Sequence, residues 1–245
     1  MIAMADDKGS QEKLLNLCAK SPFGCKIAAY AVAYGFDKKF SYFWTDDEEN
    51  AVYCMVDDVL IISGTVTNPV ETQEFIKVIG VKEIMCAVRN SEVLGLKPAH
   101  FGDVIKKMAE PGDPETLSFD EISLREVYGL LEETGMTDEF ESFYLDLSHK
   151  LRHQSALITA EYIDNDLAGC AVASSVTEGA AIISAVAVSP AHRRKGIGSR
   201  LIKKAERALR GKTIYIFKEK DKNNEFYRAL GYGRQDTWVT ALVKE

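Results

Sequence analysis

Apolar residues recur along this chain with two periods, and the switches between them mark its elements. In the first half, Ser21-Pro22 reads as an N-cap followed by proline at the first helical position, with Gly35 as the stop. A helix is expected between them, the second of an opening pair. Phe40 to Trp44, Ala51 to Val56 and Val59 to Ser63 read as strands, the last two joined by an Asp57-Asp58 turn. Pro69 opens a helix ended by Gly80, with Val70, Phe75, Val78 and Ile79 expected on its apolar face, and Ile84 to Val88 is a short buried strand.

The second half repeats this order more fully. Ser123 and Glu126 fit a capping box for a helix that Gly135 ends, and a further helix runs from about Asp138 to His153. Ser155 to Ile163 and Leu167 to Ser175 alternate about an Asn165-Asp166 turn, as a hairpin does. Ala180 to Val188 is apolar on both faces apart from Ser184, which predicts a central strand covered on both sides. From Gly196 to Arg210, Ile197, Leu201, Ile202, Ala205, Ala208 and Leu209 form one helical face, while Arg200, Lys203, Lys204 and Arg207 fill the other. A strand at Thr213 to Phe217, a helix near Asn224 to Leu230 and a strand at Thr237 to Val243 complete the series. Helices alternating with a mixed sheet place the chain in the α+β or α/β class.

Glu110-Pro111-Gly112-Asp113-Pro114 divides these two series, because two prolines and a glycine stop both helix and ladder. The expected domains are therefore 1–112 and 113–245, both of ordinary size. At 46% hydrophobic and 27% charged residues, the composition excludes fibrous and disordered classes. No apolar run reaches the roughly 18–20 residues that cross a bilayer, and Met1 to Ser10 lacks a signal peptide's basic and apolar segments. The five widely spaced cysteines form no Cys-x-x-Cys pair, so neither a disulfide framework nor a cysteine zinc site is expected. A cytoplasmic protein with no membrane partner is expected.

The net charge of −7 hides a strong asymmetry. Between Ser189 and Arg234 stand 14 Lys and Arg against 4 Asp and Glu, whereas the other 199 residues hold 16 basic and 33 acidic side chains. An acidic body with one basic segment does not fit a nucleic-acid binder; it focuses positive potential on one compact anion. The centre of that segment is Val186-Ala187-Val188 followed by Ser189-Pro190-Ala191-His192-Arg193-Arg194-Lys195-Gly196-Ile197-Gly198-Ser199, a buried strand entering a basic, glycine-bearing loop that opens a helix. The first helical amides lack intrahelical partners and the helix dipole favours negative charge there. Gly196 and Gly198 remove Cβ atoms that would hold a phosphate off, so the loop suits a pyrophosphate. The loop lacks the Gly-Lys-Ser/Thr that a P-loop places after a spaced glycine, and Leu201 stands where a dinucleotide fingerprint needs its third glycine.

Arg193-x-x-Gly196-x-Gly198 after a Val-Ala-Val-x-Pro strand end resembles the GNAT superfamily of N-acetyltransferases, in which this segment holds the pyrophosphate and pantetheine of acetyl-CoA. Farther on, Asn224-Glu225-Phe226-Tyr227-Arg228-Ala229-Leu230-Gly231-Tyr232 resembles the family's Phe-Tyr-x-x-x-Gly-aromatic segment, whose tyrosine commonly protonates the departing CoA thiolate. The resemblance covers about Ser118 to Glu245 and implies a GNAT-like fold that binds acetyl-CoA as cosubstrate without a metal. It implies Tyr227 as general acid, with Val186, Ala187, Val188, Arg193, Arg194, Lys195, Gly196, Ile197, Gly198, Ser199 and Asn224 at the cofactor, Asn224 serving equally well as a helix cap. Direct transfer to an amine needs a neutral amine, a polarised carbonyl and a protonated leaving group, and a phenol with a pKa near 10 stays protonated at neutral pH.

No acidic residue stands within Ala180 to Val188, so the general base is open among Glu161, Glu178 and a water chain. Asp146, His149 and His153 share a helix face that borders the acceptor in the family; the i, i+4 histidines lack the glutamate motif that would make them a zinc site. The first half has the strand–helix–strand order of a GNAT-like copy, but Gly64-Thr65-Val66-Thr67-Asn68-Pro69 replaces the anion loop. A degenerate copy of this kind cannot hold CoA by the same physics. Covering the sheet, walling the acceptor and self-association into a homodimer are the roles left to it. The expected activity is acetyl transfer from acetyl-CoA to a small-molecule or peptide amine. The alternatives are a non-catalytic CoA-binding regulatory module and an acyltransferase using a longer acyl-CoA.

Overall fold

The computed structural model describes all of the 245 residues except Lys20, 117–121, Asp138 and 244–245. The chain forms two compact units, one made of Met1–Ile105, Phe217–Arg228 and Gly233–Glu245, the other of Lys106–Ile216 and Ala229–Tyr232. They interleave in sequence, because the closing strand, read above with the second half, pairs within the first unit.

The first unit contains β1 (Ile2–Met4), α1 (Lys8–Cys18), α2 (Pro22–Tyr34), β2 (Ser41–Asp46), β3 (Ala51–Val56), β4 (Val59–Gly64), α3 (Pro69–Ile79), β5 (Glu83–Ala87) and α4 (Val88–Val93). β6 (His100–Met108) starts in this unit and its last residues belong to the second. Its sheet runs β1-β2-β3-β4-β5-β11, where β11 is Gly233–Leu242. β2, β3 and β4 form an antiparallel meander, β5 pairs parallel to β4, and β11 pairs antiparallel to β5 from Trp238↔Ala87 to Leu242↔Glu83. Alternation on the strands builds two cores, as a period of two requires. Phe43, Cys54 and Ile61 pack with Leu14, Phe23 and Ile27 of α1 and α2. Trp44, Tyr53, Leu60 and Ile62 pack with Ile76 of α3.

Capping follows the sequence except at the expected Ser123–Glu126 box, of which only the Ser123 half forms, the Glu126 carboxylate taking the Tyr162 hydroxyl at 3.2 Å. Ser21 Oγ accepts from Gly24 N, Asn68 Oδ1 from Glu71 N and Ser123 Oγ from Glu126 N, while Gly35, Gly80 and Gly135 stop their helices at positive φ. The apolar face of α3 differs from the expectation. Thr72 and Ile76 are buried with Phe75 and Ile79 beside them, whereas Val70 and Val78 are 69% and 84% exposed. At 3.6 residues per turn, 72, 75, 76 and 79 share a stripe that 70 and 78 do not.

The second unit holds α5 (Leu124–Glu133), α6 (Phe140–Arg152), β7 (Leu157–Ile163), β8 (Asp166–Val176), β9 (Ala180–Val188), α7 (Ile197–Ala208) and the first residues of β10 (Thr213–Glu219). The short α8 (Asn224–Ala229) precedes β11. The expected start of α6 at Asp138, and the limits Ser118 and Glu245 of the family resemblance, lie outside the described residues. This sheet runs β10-β9-β8-β7, with β9 antiparallel to β8 and parallel to β10. The β7–β8 turn falls at Asp164-Asn165, both at positive φ, one residue earlier than expected. Val127, Leu131, Leu147 and Leu151 of α5 and α6 cover Cys170, Val172 and Ala187. On α7, Ile197 and Leu201 cover Ala168 and Ala171, with Val186 and Val188 beside them. β9 is thus covered on both faces, as its composition implies.

Candidate functional site

The site begins with how β9 ends. Its parallel ladder with β10 runs from Ala180↔Thr213 to Ile183↔Ile216 and stops there. At the next residue the β8 register steps from Ala185↔Val172 to Ile183↔Ala173, leaving Ser184 as the extra residue of a bulge, its hydroxyl on Val172 O at 3.2 Å. A bulge bends the strand that carries it. From Ala185 to Val188, β9 remains paired to β8 alone within this unit. In an antiparallel pair alternate residues turn their N–H and C=O to the partner and the others turn theirs away. Along 186–188, every second residue therefore offers its N–H and C=O on the β10 side, where an amide-bearing ligand can meet them.

After Val188 the chain crosses a single 3-10 turn, Pro190–His192, with Ser189 N held on Ala168 O at 3.0 Å. Arg193 Nε donates to Val188 O at 3.2 Å, and Lys195 Nζ lies 3.3 Å from His192 Nδ1. Arg194 has φ 61 and Gly196 φ 78, so the loop reverses through left-handed backbone just before the helix. Glycine adopts that conformation freely, which is the local reason for Gly196. α7 begins with no side-chain cap and no acidic residue in its first turn. The amides of Ile197, Gly198 and Ser199 open the helix beside three exposed basic residues, an arrangement whose dipole and charge favour an anion.

Gly169 on β8 seats this helix against the sheet. A Cβ there would lie 2.9 Å from Ile197 Cγ2, 3.0 Å from Leu201 Cδ1 and 3.0 Å from Ala187 O, so only glycine lets α7 come this close. A glycine inside an otherwise apolar strand is the sequence signal for such close approach, and it passed unread. Buried Thr159 Oγ1 adds a bond to Leu201 O at 3.1 Å.

Tyr227 lies in α8, buried, with its N–H on Asn223 O at 3.1 Å and its ring 5.0 Å from that of Phe226. Burial pushes its hydroxyl above the ordinary tyrosine value, which keeps it protonated and able to donate. Asn224 is exposed at the first position of α8, and the backbone bond that starts the turn uses Asn223 O.

The base and acceptor candidates scatter. Both carboxylate oxygens of Glu161 are held by Arg200 Nε and Nη2 at 3.1 and 2.5 Å, so Glu161 is engaged as an ion-pair partner and is not poised as a base. Glu178 is exposed in the turn before β9, with the length of that strand, about 26 Å at about 3.3 Å per residue, between it and the loop, and it is the Glu178 carbonyl that meets Lys212 Nζ. It stands at the wrong end of the strand to serve the loop. On α6, the His149 and His153 rings lie 4.3 Å apart and tilted by 36°, while Asp146 Oδ2 takes Lys150 Nζ at 2.9 Å. Lys150, unnoticed in sequence, is 3% exposed, and burial pulls its ammonium down against the opposing pull of Asp146. No group of three or more His, Cys, Asp or Glu side chains able to hold a metal occurs among the described residues. All five cysteines are buried as free thiols, with Cys170 pushed up to about 12 by burial, which makes it inert as a nucleophile. No helix among the described residues is long and apolar enough to cross a membrane.

Residues 122–232 match the model of the acetyltransferase (GNAT) family. No curated protein sequence matches the chain. Among solved structures, a tandem GNAT protein from the clavulanic acid biosynthesis pathway is similar over 100% of this chain and 99% of its own, at TM-score 0.62 and 14% identity. A GCN5-related N-acetyltransferase from Sphaerobacter thermophilus aligns over 99% of this chain and 95% of its own, at TM-score 0.62 and 15% identity. A GNAT-family acetyltransferase from Colwellia psychrerythraea aligns over 100% of both chains, at TM-score 0.54 and 14% identity. At these identities the likeness is one of fold.

Proposed function

We propose that this chain, which carries an acetyltransferase (GNAT) domain over residues 122–232 and the mixed α+β fold of GNAT proteins, transfers an acetyl group from acetyl-CoA to an amine. The observation that carries the reading is the junction of β9 and α7. There a strand released from its parallel neighbour at Ile183 meets an uncapped, basic helix N-terminus opened by left-handed Gly196. In this reading Gly196, Ile197, Gly198 and Ser199 give their amides to the pyrophosphate, Arg193, Arg194 and Lys195 surround it with charge, and Val186 to Val188 pair with the pantetheine. Asn224 stays with the cofactor, and residues 113–245 supply the catalytic groups.

The chemistry follows from the groups. A neutral amine attacks the thioester carbonyl, the C–S bond breaks, and Tyr227 gives its proton to the departing thiolate. The amine's own proton leaves through water, since Glu161 is occupied by Arg200 and Glu178 is remote from the loop. Buried, unreactive thiols favour this direct attack in a ternary complex over a cysteine acyl intermediate. Asp146, His149 and His153 border the acceptor, a small-molecule or peptide amine. The same lack of a dedicated base is the one observation favouring a regulatory module that binds CoA without turnover.

Calorimetry with acetyl-CoA tests the reading. Gly198→Leu puts a side chain where the pyrophosphate approaches, and affinity is expected to fall at least about tenfold, or about 1.4 kcal/mol. Unchanged affinity in a folded variant would remove the loop from the site.

A further inference from the structure

We propose that Arg200 and Glu161 form a positioning pair that fixes the direction of the loop amides, with neither side chain touching the ligand. The proposal rests on the reading of this loop as the CoA site. Arg200 engages the carbonyls of both residues at the turn: its Nη1 donates to Lys195 O at 2.9 Å, and its backbone N–H donates to Gly196 O at 3.1 Å. Its remaining fork, Nε and Nη2, closes on the two oxygens of Glu161. A Cβ added to Gly196 would lie 3.2 Å from Nη1, so the guanidinium rests directly against the left-handed turn.

The consequence follows from peptide geometry. In a planar trans peptide the C=O and N–H point in opposite directions. Holding Lys195 O on the guanidinium therefore aims the Gly196 N–H away from Arg200, toward the open side of the loop. Glu161 stands where the β7–β8 register slips, Glu161↔Gly169 giving way to Tyr162↔Leu167 with Ala168 of β8 as the extra residue, the kind of irregularity that re-aims a side chain. Two residues earlier on β7, Thr159 bonds Leu201 O, so this strand grips the first turns of α7 at two points. Arg200 is 55% exposed, and an ion pair that open adds little to global stability. Its planar fork nevertheless sets a shape that a lysine cannot reproduce. Glu161 cancels its charge, which leaves the attraction of the anion to Arg193, Arg194 and Lys195.

Glu161→Gln, Arg200→Ala, Arg200→Lys and the Glu161→Gln/Arg200→Ala double variant test this, with CoA titrations at two salt concentrations and hydrogen exchange on the ligand-free protein. Each single change is expected to weaken CoA about three- to tenfold, and the double change no further, as members of one unit behave. Salt dependence should match the wild type, because no ligand-contacting charge is lost. Amide exchange across 196–199 should quicken in every variant at unchanged far-UV circular dichroism. Tighter or unchanged binding by Glu161→Gln, a reduced salt dependence in Arg200→Ala, or full function in Arg200→Lys would overturn the pair, each marking Arg200 as a simple charge. If the wild type binds no CoA, the reading of the loop fails by itself. The exchange measurement then still decides the pair, and unchanged exchange overturns it.

Discussion

The β4–α3–β5 and β9–α7–β10 crossovers follow one path and end in opposite chemistry. Each leads a buried strand through a loop into a helix and back to a parallel strand, and in each the parallel ladder stops early, at Ile61↔Met85 in one and Ile183↔Ile216 in the other. At the first, the groups beyond the parting are satisfied from within. Buried Asn90 accepts from Val66 N at 3.1 Å and donates to Gly64 O at 3.0 Å, and Arg89 reaches the same carbonyl at 3.4 Å. The α3 N-terminus is capped by Asn68 and carries Glu71, whose carboxylate also takes Ile2 N at 2.8 Å. At the second, α7 has neither side-chain cap nor acidic first turn, and basic residues precede it. A helix that neutralises its own amides has nothing left for a phosphate. The difference lies in a few side chains at the turn, with the backbone path common to both.

Turnover should show the largest effect. Tyr227→Phe keeps the ring and removes one donor, and general acid catalysis contributes about 10²–10⁴-fold, so the rate is expected to fall by that order with acetyl-CoA affinity nearly unchanged. Wild-type turnover in the variant would leave Tyr227 a packing residue. In the wild type, rate should climb with pH as the acceptor amine deprotonates. Because burial raises the Tyr227 pKa above 10.0, a falling limb from its ionisation belongs above that value. The stability that neutral Tyr227 contributes is likewise whole below pH 10.0 and lost as pH rises through its higher native value.

Stoichiometry sharpens the contrast directly: calorimetry should give one CoA per chain, since only the second crossover leaves its helix amides open. Two equivalent sites would erase the distinction. The smallest effect is on stability in urea. Asn68→Ala is expected to cost about 1 kcal/mol by deleting a cap, whereas Ser199→Ala, at a helix start with no side-chain cap, should cost only a few tenths. Equal losses would mean that the α7 terminus is satisfied in a way its geometry does not suggest.

What could be read before any coordinates divides along the same line. Local signals were legible: Ser21-Pro22, Asn68-Pro69, Ser123 and the stop glycines fix helix ends through their own backbone bonds, and α7's apolar face is buried as its spacing implies. The basic glycine loop, on which the proposed CoA site rests, is likewise a single run of about a dozen residues. Non-local pairings were not legible. β1, α4 and β6 carry weak patterns and owe their conformation to partners distant in sequence. The Arg200–Glu161 pair spans two elements, and Glu161 sits where a bulge at Ala168 of β8 shifts the strand register, which no local pattern announces. Glu178 looked eligible as a base beside the strand, yet chain order alone puts it before Ala180 and the loop after Val188, at opposite ends of β9.

The pairing of β11 with β5 has a consequence for synthesis. As the chain leaves the ribosome, β5 emerges early, while its antiparallel neighbour, Gly233–Leu242, is translated only after the whole of the second unit. At about 5–20 residues per second, that strand edge waits on the order of ten seconds with its hydrogen-bonding groups unmatched. An open edge of this kind recruits foreign strands. The nascent chain is therefore most vulnerable in that interval, and a chaperone that shields β5 would act then, before the second unit is complete.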